Sequence, residues 1–177
     1  MANRRNKGLV QGTYDVKNKD KYVGTKNPRY LSSYELQFFL WADNNKNILK
    51  WGAESVIVPY YDPVREKKRR YIVDVYIKYQ TKSGSIREEI IEIKPMSQTQ
   101  PPVKGKRKAQ HVFESEQQTY ITNLAKWEAA KQYAQERGWK FRVITEYNIF
   151  KKWSVDHETR IFVFDNKPIT KFIIGDG

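Results

Sequence analysis

One short pattern of charged residues, Glu92-Ile93-Lys94, has the residue types and the spacing that catalysis needs. It follows the apolar pair Ile90-Ile91, which is typical of a buried strand. In a strand, Glu92 and Lys94 would point to one face and Ile93 to the other. A carboxylate and an ammonium group are costly to bury in an apolar strand. The pattern therefore marks Glu92 and Lys94 as candidate site residues.

A third charged residue, Asp74, interrupts the apolar run 71–77. A turn at Ser83-Gly84-Ser85 would fold this run into a hairpin with residues 86–94. If the hairpin turns at Gly84, Asp74 faces Lys94 and lies diagonal to Glu92. Diagonal neighbours are about 7–8 Å apart, so both carboxylates can reach one ion. A register slip of two residues would still keep the three groups together.

Two carboxylates beside a lysine fit a site for Mg²⁺ (or Mn²⁺) that also binds phosphate. Carboxylate oxygens suit these hard cations, which keep several waters of their own. The metal would activate water and stabilise charge on phosphorus, and Lys94 would orient or deprotonate that water or neutralise a phosphate oxygen. The alternative is a simple cross-strand ion pair between Asp74 and Lys94, which contributes a few tenths of a kcal/mol at a surface.

A helix upstream carries a further candidate, Glu35. The segment Ser32-Ser33-Tyr34-Glu35 fits a capping box with Ser32 as N-cap, and residues 43–45 would end the helix. A capping glutamate needs no active site, so both roles stay open for Glu35.

The remaining elements predict an α/β fold with a mixed central β-sheet flanked by helices. Strands are expected at 55–60, 71–79, 86–94, 141–145 and 160–164. A second capping box at Ser115 would open a long helix that ends near Arg137, with Gly138 after it. Its apolar face is predicted to comprise Tyr120, Leu124, Trp127 and Ala134.

Composition narrows the class of protein. The 177 residues fit one domain, predicted at 31–177, preceded by a basic arm at 1–30 that stays mobile or orders on a polyanion. The absence of cysteine excludes disulfide scaffolds, thiolate metal sites and cysteine nucleophiles. No long apolar run or signal-like segment occurs, so a protein without membrane contact is expected.

The formal net charge of +13 indicates a nucleic-acid partner. Two basic loops, expected within 62–70 and 95–113, would hold the phosphate backbone without reading bases. Their predicted DNA-binding residues are Arg65, Lys67, Lys68, Arg69, Arg70, Lys104, Lys106, Arg107 and Lys108.

Together, the four candidate residues resemble the site of the PD-(D/E)XK nuclease superfamily, although Val73 stands where the superfamily name has proline. More narrowly, the chain resembles the head-completion nucleases of contractile-tailed phages, through the segments YVG (22–24), RYLSSYE (29–35), WGAESVIVPY (51–60) and EIKP (92–95). It is also similar to TnsA-type transposon endonucleases, through KWEAAK (126–131), GWKF (138–141) and Thr145-Glu146.

This resemblance implies that the α/β fold has a restriction-endonuclease-like core. It also implies a Mg²⁺-dependent endodeoxyribonuclease with Glu35, Asp74, Glu92 and Lys94 as catalytic residues and Asp74 and Glu92 as metal ligands. It further implies action on double-stranded DNA after packaging, in the virion or host cytoplasm, and contact with portal or neck proteins. Two alternatives remain: an inactive DNA- or portal-binding head or neck protein, and a nuclease of a transposition or restriction system.

Overall fold

The computed structural model describes residues 11–149, together with the backbone of two short strands near the C-terminus. The order of elements is β1 (Gly12–Thr13), β2 (Arg29–Tyr30), α1 (Ser33–Asn44), β3 (Ile48–Asp62), β4 (Lys67–Gln80), β5 (Ile86–Ile93), a 3₁₀ turn (Met96–Gln98), α2 (Gln110–Gln135), β6 (Lys140–Ile144), α3 (Glu146–Ile149), β7 (Trp153–Val155) and β8 (Phe162–Phe164).

The central sheet has four strands in the order β3-β4-β5-β6. The first two pairings are antiparallel and β5–β6 is parallel, so α2 provides the crossover that parallel neighbours require. Strands β1 and β2 form a separate antiparallel pair, as do β7 and β8. The predicted mixed sheet flanked by helices is confirmed, and it is consistent with a restriction-endonuclease-like fold.

Helix α1 begins as its sequence predicts. The Ser32 hydroxyl accepts a hydrogen bond from the Glu35 N–H at 3.2 Å, and the Glu35 carboxylate accepts one from the Leu31 N–H at 2.8 Å. These contacts satisfy amide groups that the first turn leaves without helical partners. The helix ends at Asn44, as predicted, and the Asn45 N–H closes its last turn on the Trp41 carbonyl.

Two apolar cores cover opposite faces of the sheet. The first lies between α1, the segment before it and the sheet, and it contains Trp51, Ile77 and Ile91. The second lies under α2 and contains Ile90, Ala130 and Ala134. Because Ile90 and Ile91 are consecutive in β5, they point to opposite faces. Both faces of the central sheet are therefore buried, which accounts for the apolar runs in its strands.

Part of the predicted basic arm is packed in this structure. Tyr14 and Val16 are buried in the first core, so within the described residues the packed unit starts before residue 31. The fully buried Asp43 holds this segment, since its carboxylate accepts hydrogen bonds from the Tyr14 hydroxyl (2.8 Å), the Lys17 N–H (2.8 Å) and the Asn18 N–H (3.1 Å). Residues 1–10 of the arm lie outside the described residues.

The first predicted basic loop is wrong in its extent. Strand β3 continues to Asp62 and β4 begins at Lys67, so Lys67, Lys68, Arg69 and Arg70 lie on a strand. The turn is held by Asp62, whose carboxylate accepts the N–H groups of Val64 (3.1 Å) and Arg65 (3.3 Å). Because of that turn, β4 begins four residues earlier in the chain than predicted.

The start and the apolar face of the second helix also differ from the prediction. Helix α2 begins at Gln110 after Ala109, which offers no side-chain cap, and Ser115 lies inside it. Its buried residues are Thr122, Asn123, Ala130 and Ala134, and Leu124 is 45% exposed. Gly138 follows the helix with a φ of +69°, as expected of a residue that ends a helix.

The buried Asp43 carboxylate provides a test of how the N-terminal segment is held. Asp43→Asn should lower the free energy of unfolding by about 2 kcal/mol, because an amide N–H₂ would then face donors instead of accepting from them. Urea unfolding would measure this loss. The matched substitution of the exposed Asp20, Asp20→Asn, should stay within about 0.5 kcal/mol of the unsubstituted protein. Equal stability of the two variants would contradict the role of Asp43.

Candidate active site

The two acidic residues of the hairpin face each other directly. The ladder between β4 and β5 pairs Gln80 with Ile86 and Val75 with Ile91, so the next position places Asp74 opposite Glu92. The predicted pairing of Asp74 with Lys94 is wrong by two residues, because the loop is centred on Ser83 rather than on Gly84. A shift of two residues leaves every side chain on the same face of the sheet, so Asp74, Glu92 and Lys94 stay together.

Asp74 lies between two residues of β4 that pack in different cores. Its neighbour Val73 packs in the second core and Val75 in the first. The Asp74 carboxylate accepts the Ile93 N–H at 2.7 Å, beyond the end of the ladder. Burial, followed by the negative charge of Glu92, raises the pKa of Asp74 to about 8. In this partly desolvated site, a negative charge on Glu92 therefore makes ionisation of Asp74 less favourable.

Glu92 is 3% exposed and is held by two donors. The Tyr71 hydroxyl donates to its Oε2 at 2.5 Å, and Lys94 Nζ lies 2.9 Å from its Oε1. Burial, with the charge of Glu92, raises the pKa of Tyr71, so its hydroxyl remains a donor. These contacts fix the Glu92 carboxylate beside Asp74 and leave further lone pairs on its oxygens.

Lys94 follows β5 and is anchored by its backbone, since its N–H donates to the Ile144 carbonyl at 2.9 Å. Burial alone would lower the pKa of its ammonium group. The carboxylate of Glu92, with the charges of Asp74 and Glu35, outweighs burial and raises the pKa of Lys94. Lys94 therefore carries its proton at neutral pH.

The fourth predicted residue, Glu35, reaches the same neighbourhood from α1. Its negative charge contributes to the raised pKa values of both Asp74 and Lys94. The hydrogen bonds of its carboxylate in this structure are those of the helix cap, to the Leu31 N–H and the Ser32 hydroxyl. Glu35 is therefore an electrostatic neighbour of the acidic pair.

The donor set fits a divalent cation of the magnesium type. Among the described residues no group of three or more histidine, cysteine or acidic side chains is placed to hold a metal. A cation at Asp74 and Glu92 would thus have two carboxylates and complete its shell with water or phosphate, which is how Mg²⁺ commonly binds. The raised pKa of Asp74 is the second argument, because a cation would relieve the repulsion between the two acids.

Four of the predicted DNA-binding residues lie beside the first half of α2. Arg65 and Arg69 line one cavity with Ser115, Gln118 and Thr119 of that helix. In the loop before the helix, Lys104 bonds to Gln110, and Lys108 contacts the Glu116 carboxylate at 2.7 Å. The other five predicted residues are exposed: Lys67, Lys68, Arg70, Lys106 and Arg107.

Sequence reasoning missed two residues at the site. Tyr71 opens the apolar run, but its role depends on Glu92, which lies 21 positions away and is reached only through the strand register. Lys126 places its Nζ 5.6 Å from the centroid of the Tyr71 ring, a cation–π contact between α2 and β4. No local pattern marks either residue.

Comparison with known proteins decides the family. A family model described as the TnsA-like endonuclease N terminal domain matches residues 45–146. The chain belongs to this endonuclease family. The match contains Asp74, Glu92 and Lys94, whereas Glu35 precedes it. The chain is also 42% identical over 139 residues to the head completion nuclease of Enterobacteria phage T4, across 76% of this chain and 90% of that protein.

The resemblances to TnsA-type endonucleases and to head-completion nucleases are thereby confirmed, and the chain is a nuclease related to a phage head completion protein. Within the described residues, no helix of this endonuclease is long and apolar enough to cross a bilayer.

The repulsion at the acidic pair predicts an unusual pH dependence of stability. Since folding raises the pKa of Asp74 from 3.8 to about 8, the folded state binds its proton more tightly than the unfolded state does. The contribution of this group is fully present below pH 3.8 and is lost as the pH rises towards 8. In EDTA at pH 9, Asp74→Asn should therefore be more stable than the unsubstituted protein, by roughly 1–3 kcal/mol.

Urea unfolding at pH 6 and pH 9 measures this effect, with Asp20→Asn as the control for loss of a surface carboxylate. A stability difference between Asp74→Asn and the unsubstituted protein that does not grow with pH would contradict the raised pKa.

Proposed function

We propose that this chain is a divalent-metal-dependent endonuclease that hydrolyses phosphodiester bonds of double-stranded DNA. The observation that carries the proposal is the Asp74–Glu92 pair, with Lys94 Nζ 2.9 Å from Glu92. Family membership supports the nuclease activity, and the geometry supports the assignment of these residues to it.

Asp74 and Glu92 would hold the cation, which supplies a polarised water and stabilises the negative charge that develops on phosphate. Tyr71 holds Glu92 in position through its hydroxyl. The raised pKa of Lys94 supports a role for its ammonium group in orienting the attacking water and neutralising a phosphate oxygen, rather than a role as a base. Glu35 would adjust the charge of the site from the first turn of α1.

The DNA backbone would lie along the basic residues beside the first half of α2. The net charge of +13 provides attraction to a polyanion that does not depend on sequence. The predicted contacts at Arg65, Lys67, Lys68, Arg69, Arg70, Lys104, Lys106, Arg107 and Lys108 are to phosphates, which position a duplex without reading bases.

The relative from phage T4 is named for head completion, and we assign the same stage to this endonuclease. It would act on packaged DNA, in the virion or the host cytoplasm, and portal or neck proteins are its expected partners. A DNA-binding head protein without catalysis is the competing function, which the following experiments separate from a nuclease.

Cleavage of supercoiled plasmid tests the assignment of the site. With Mg²⁺ or Mn²⁺ the protein should nick or linearise the plasmid, and EDTA should stop it. Glu92→Gln should reduce the rate by about two orders of magnitude or more, because the carboxylate would no longer hold the metal.

The chain offers a matched control on the same strand. Glu88 accepts the Tyr76 hydroxyl at 2.6 Å and lies 3.5 Å from Lys78 Nζ, so it has the same kinds of partner as Glu92. Glu88→Gln should cleave like the unsubstituted protein. Intact plasmid with every metal, together with a gel shift at low salt, would support the binding protein instead.

Thermal unfolding tests metal binding without DNA. Mn²⁺ should raise the melting temperature of the protein at pH 8, since a ligand of the folded state stabilises it. Asp74→Asn should lose this increase while Glu88→Gln keeps it. An equal increase in all three proteins would place the cation elsewhere.

A further inference from the structure

A cavity of about 290 Å³ lies between the turn of the β3–β4 hairpin and residues 115–126 of α2. Arg65 and Arg69 form the hairpin side, and Gln118, Asn123 and Lys126 are on the helix side. Every one of these five side chains carries hydrogen-bond donors. The cavity therefore presents donors from two separate elements to one space.

The buried Asp62 orients Arg65 and Arg69, and its single negative charge neutralises only one of the two arginines. Its carboxylate is fully buried and lies 3.0 Å from Arg65 Nη1 and 3.7 Å from Arg69 Nη1. With Lys126, the cavity has three cations against this one anion. Each guanidinium has five N–H donors, and both arginine side chains are about half exposed, at 52% and 43%. The excess of positive charge and of donors favours an anion.

One residue of the cavity, Lys126, connects it to the acidic pair. Lys126 Nζ lies 5.6 Å from the centroid of the Tyr71 ring, and the hydroxyl of that ring donates to Glu92 at 2.5 Å. One tyrosine side chain thus lies between the Lys126 ammonium group and a carboxylate of the site. A strand whose scissile phosphate reaches Asp74 and Glu92 would bring a neighbouring phosphate towards Lys126.

We propose that this cavity binds a backbone phosphate of the DNA strand that is being cut, close to the scissile group, and so positions the strand for hydrolysis. The inference rests on the proposed nuclease function and adds Gln118, Asn123 and Lys126 to the residues that contact DNA. The fork of an arginine suits phosphate oxygens, and amide donors such as those of Gln118 and Asn123 contact phosphate in the same way. The volume also admits the sugar attached to that phosphate.

Binding of a short fluorescein-labelled duplex in EDTA tests this without any cleavage. Gln118→Glu places a negative charge in the cavity from an exposed helix position, and Lys126→Gln removes a cation while it keeps most of the stem. Gln117→Glu is the matched control, since it adds the same charge to the same turn of α2 at an exposed residue that does not line the cavity. Circular dichroism melting would verify that all three variants fold.

We expect Lys126→Gln to make the slope of log Kd against log salt shallower by about 0.9, the effect of one lost phosphate contact, between about 50 and 200 mM KCl. Gln118→Glu should weaken binding several-fold at low salt, and Gln117→Glu should stay within about twofold of the unsubstituted protein. Unchanged slope and affinity in both cavity variants would overturn the proposal, even if the unsubstituted protein cleaves plasmid. The expected slope change in a protein that never cleaves would support the phosphate site and contradict the nuclease.

A second experiment tests whether the cavity binds the phosphate of DNA or a free phosphate. Inorganic phosphate and adenosine monophosphate are added to the unsubstituted protein and to Gln118→Glu in a melting experiment. A DNA subsite predicts that Gln118→Glu weakens duplex binding, whether or not these small anions shift the melting temperature of the unsubstituted protein. A shift confined to the unsubstituted protein, with duplex binding equal in both, would mean a mononucleotide pocket and would overturn the proposal.

Discussion

Two carboxylates that face each other in a partly desolvated site repel, and the rest of the site is arranged around that repulsion. The Asp74 carboxylate accepts a hydrogen bond from the Ile93 N–H at the end of the ladder. The Glu92 carboxylate accepts one from the Tyr71 hydroxyl and forms an ion pair with the Lys94 ammonium group. These donors make the pair tolerable, but the raised pKa of Asp74 indicates that they do not neutralise it. We propose that a cation supplies the missing charge, in which case the repulsion between the two acids is also the source of the affinity for metal.

Buried acids elsewhere in the sheet show what distinguishes this pair. Glu89 is 2% exposed and accepts the Tyr79 hydroxyl at 2.5 Å, much as Glu92 accepts that of Tyr71. It is paired with the Arg142 guanidinium at 2.6 Å, and its cross-strand neighbour is Ile77 rather than a second acid. A tyrosine and a cation are enough to bury the Glu89 carboxylate, whereas Glu92 also has a second acid opposite it. Asp43 and Asp62 are also fully buried, and each accepts several hydrogen bonds that make it a structural anchor.

The sequence was sufficient where local signals determine the structure. Ser32 and Glu35 mark the start of α1, and the alternation around Asp74 and Glu92 placed both acids on one hairpin. It was insufficient where distant contacts decide. The register was two residues off because a loop containing Gly84, with a φ of +86°, centres on Ser83. Helix α2 begins without a side-chain cap, so no capping signal exists at Gln110. The roles of Tyr71 and Lys126 depend on the register and on helix packing, which no local pattern encodes.

The central claim is that Asp74 and Glu92 together bind one divalent cation. A crystal of the protein grown with Mn²⁺ and measured for anomalous scattering tests it most directly. The account predicts an anomalous peak between the two carboxylates, within about 2.0–2.4 Å of an oxygen of each, with water completing the shell. A peak bound elsewhere, or no peak at the pair with Mn²⁺ present in excess, would contradict it.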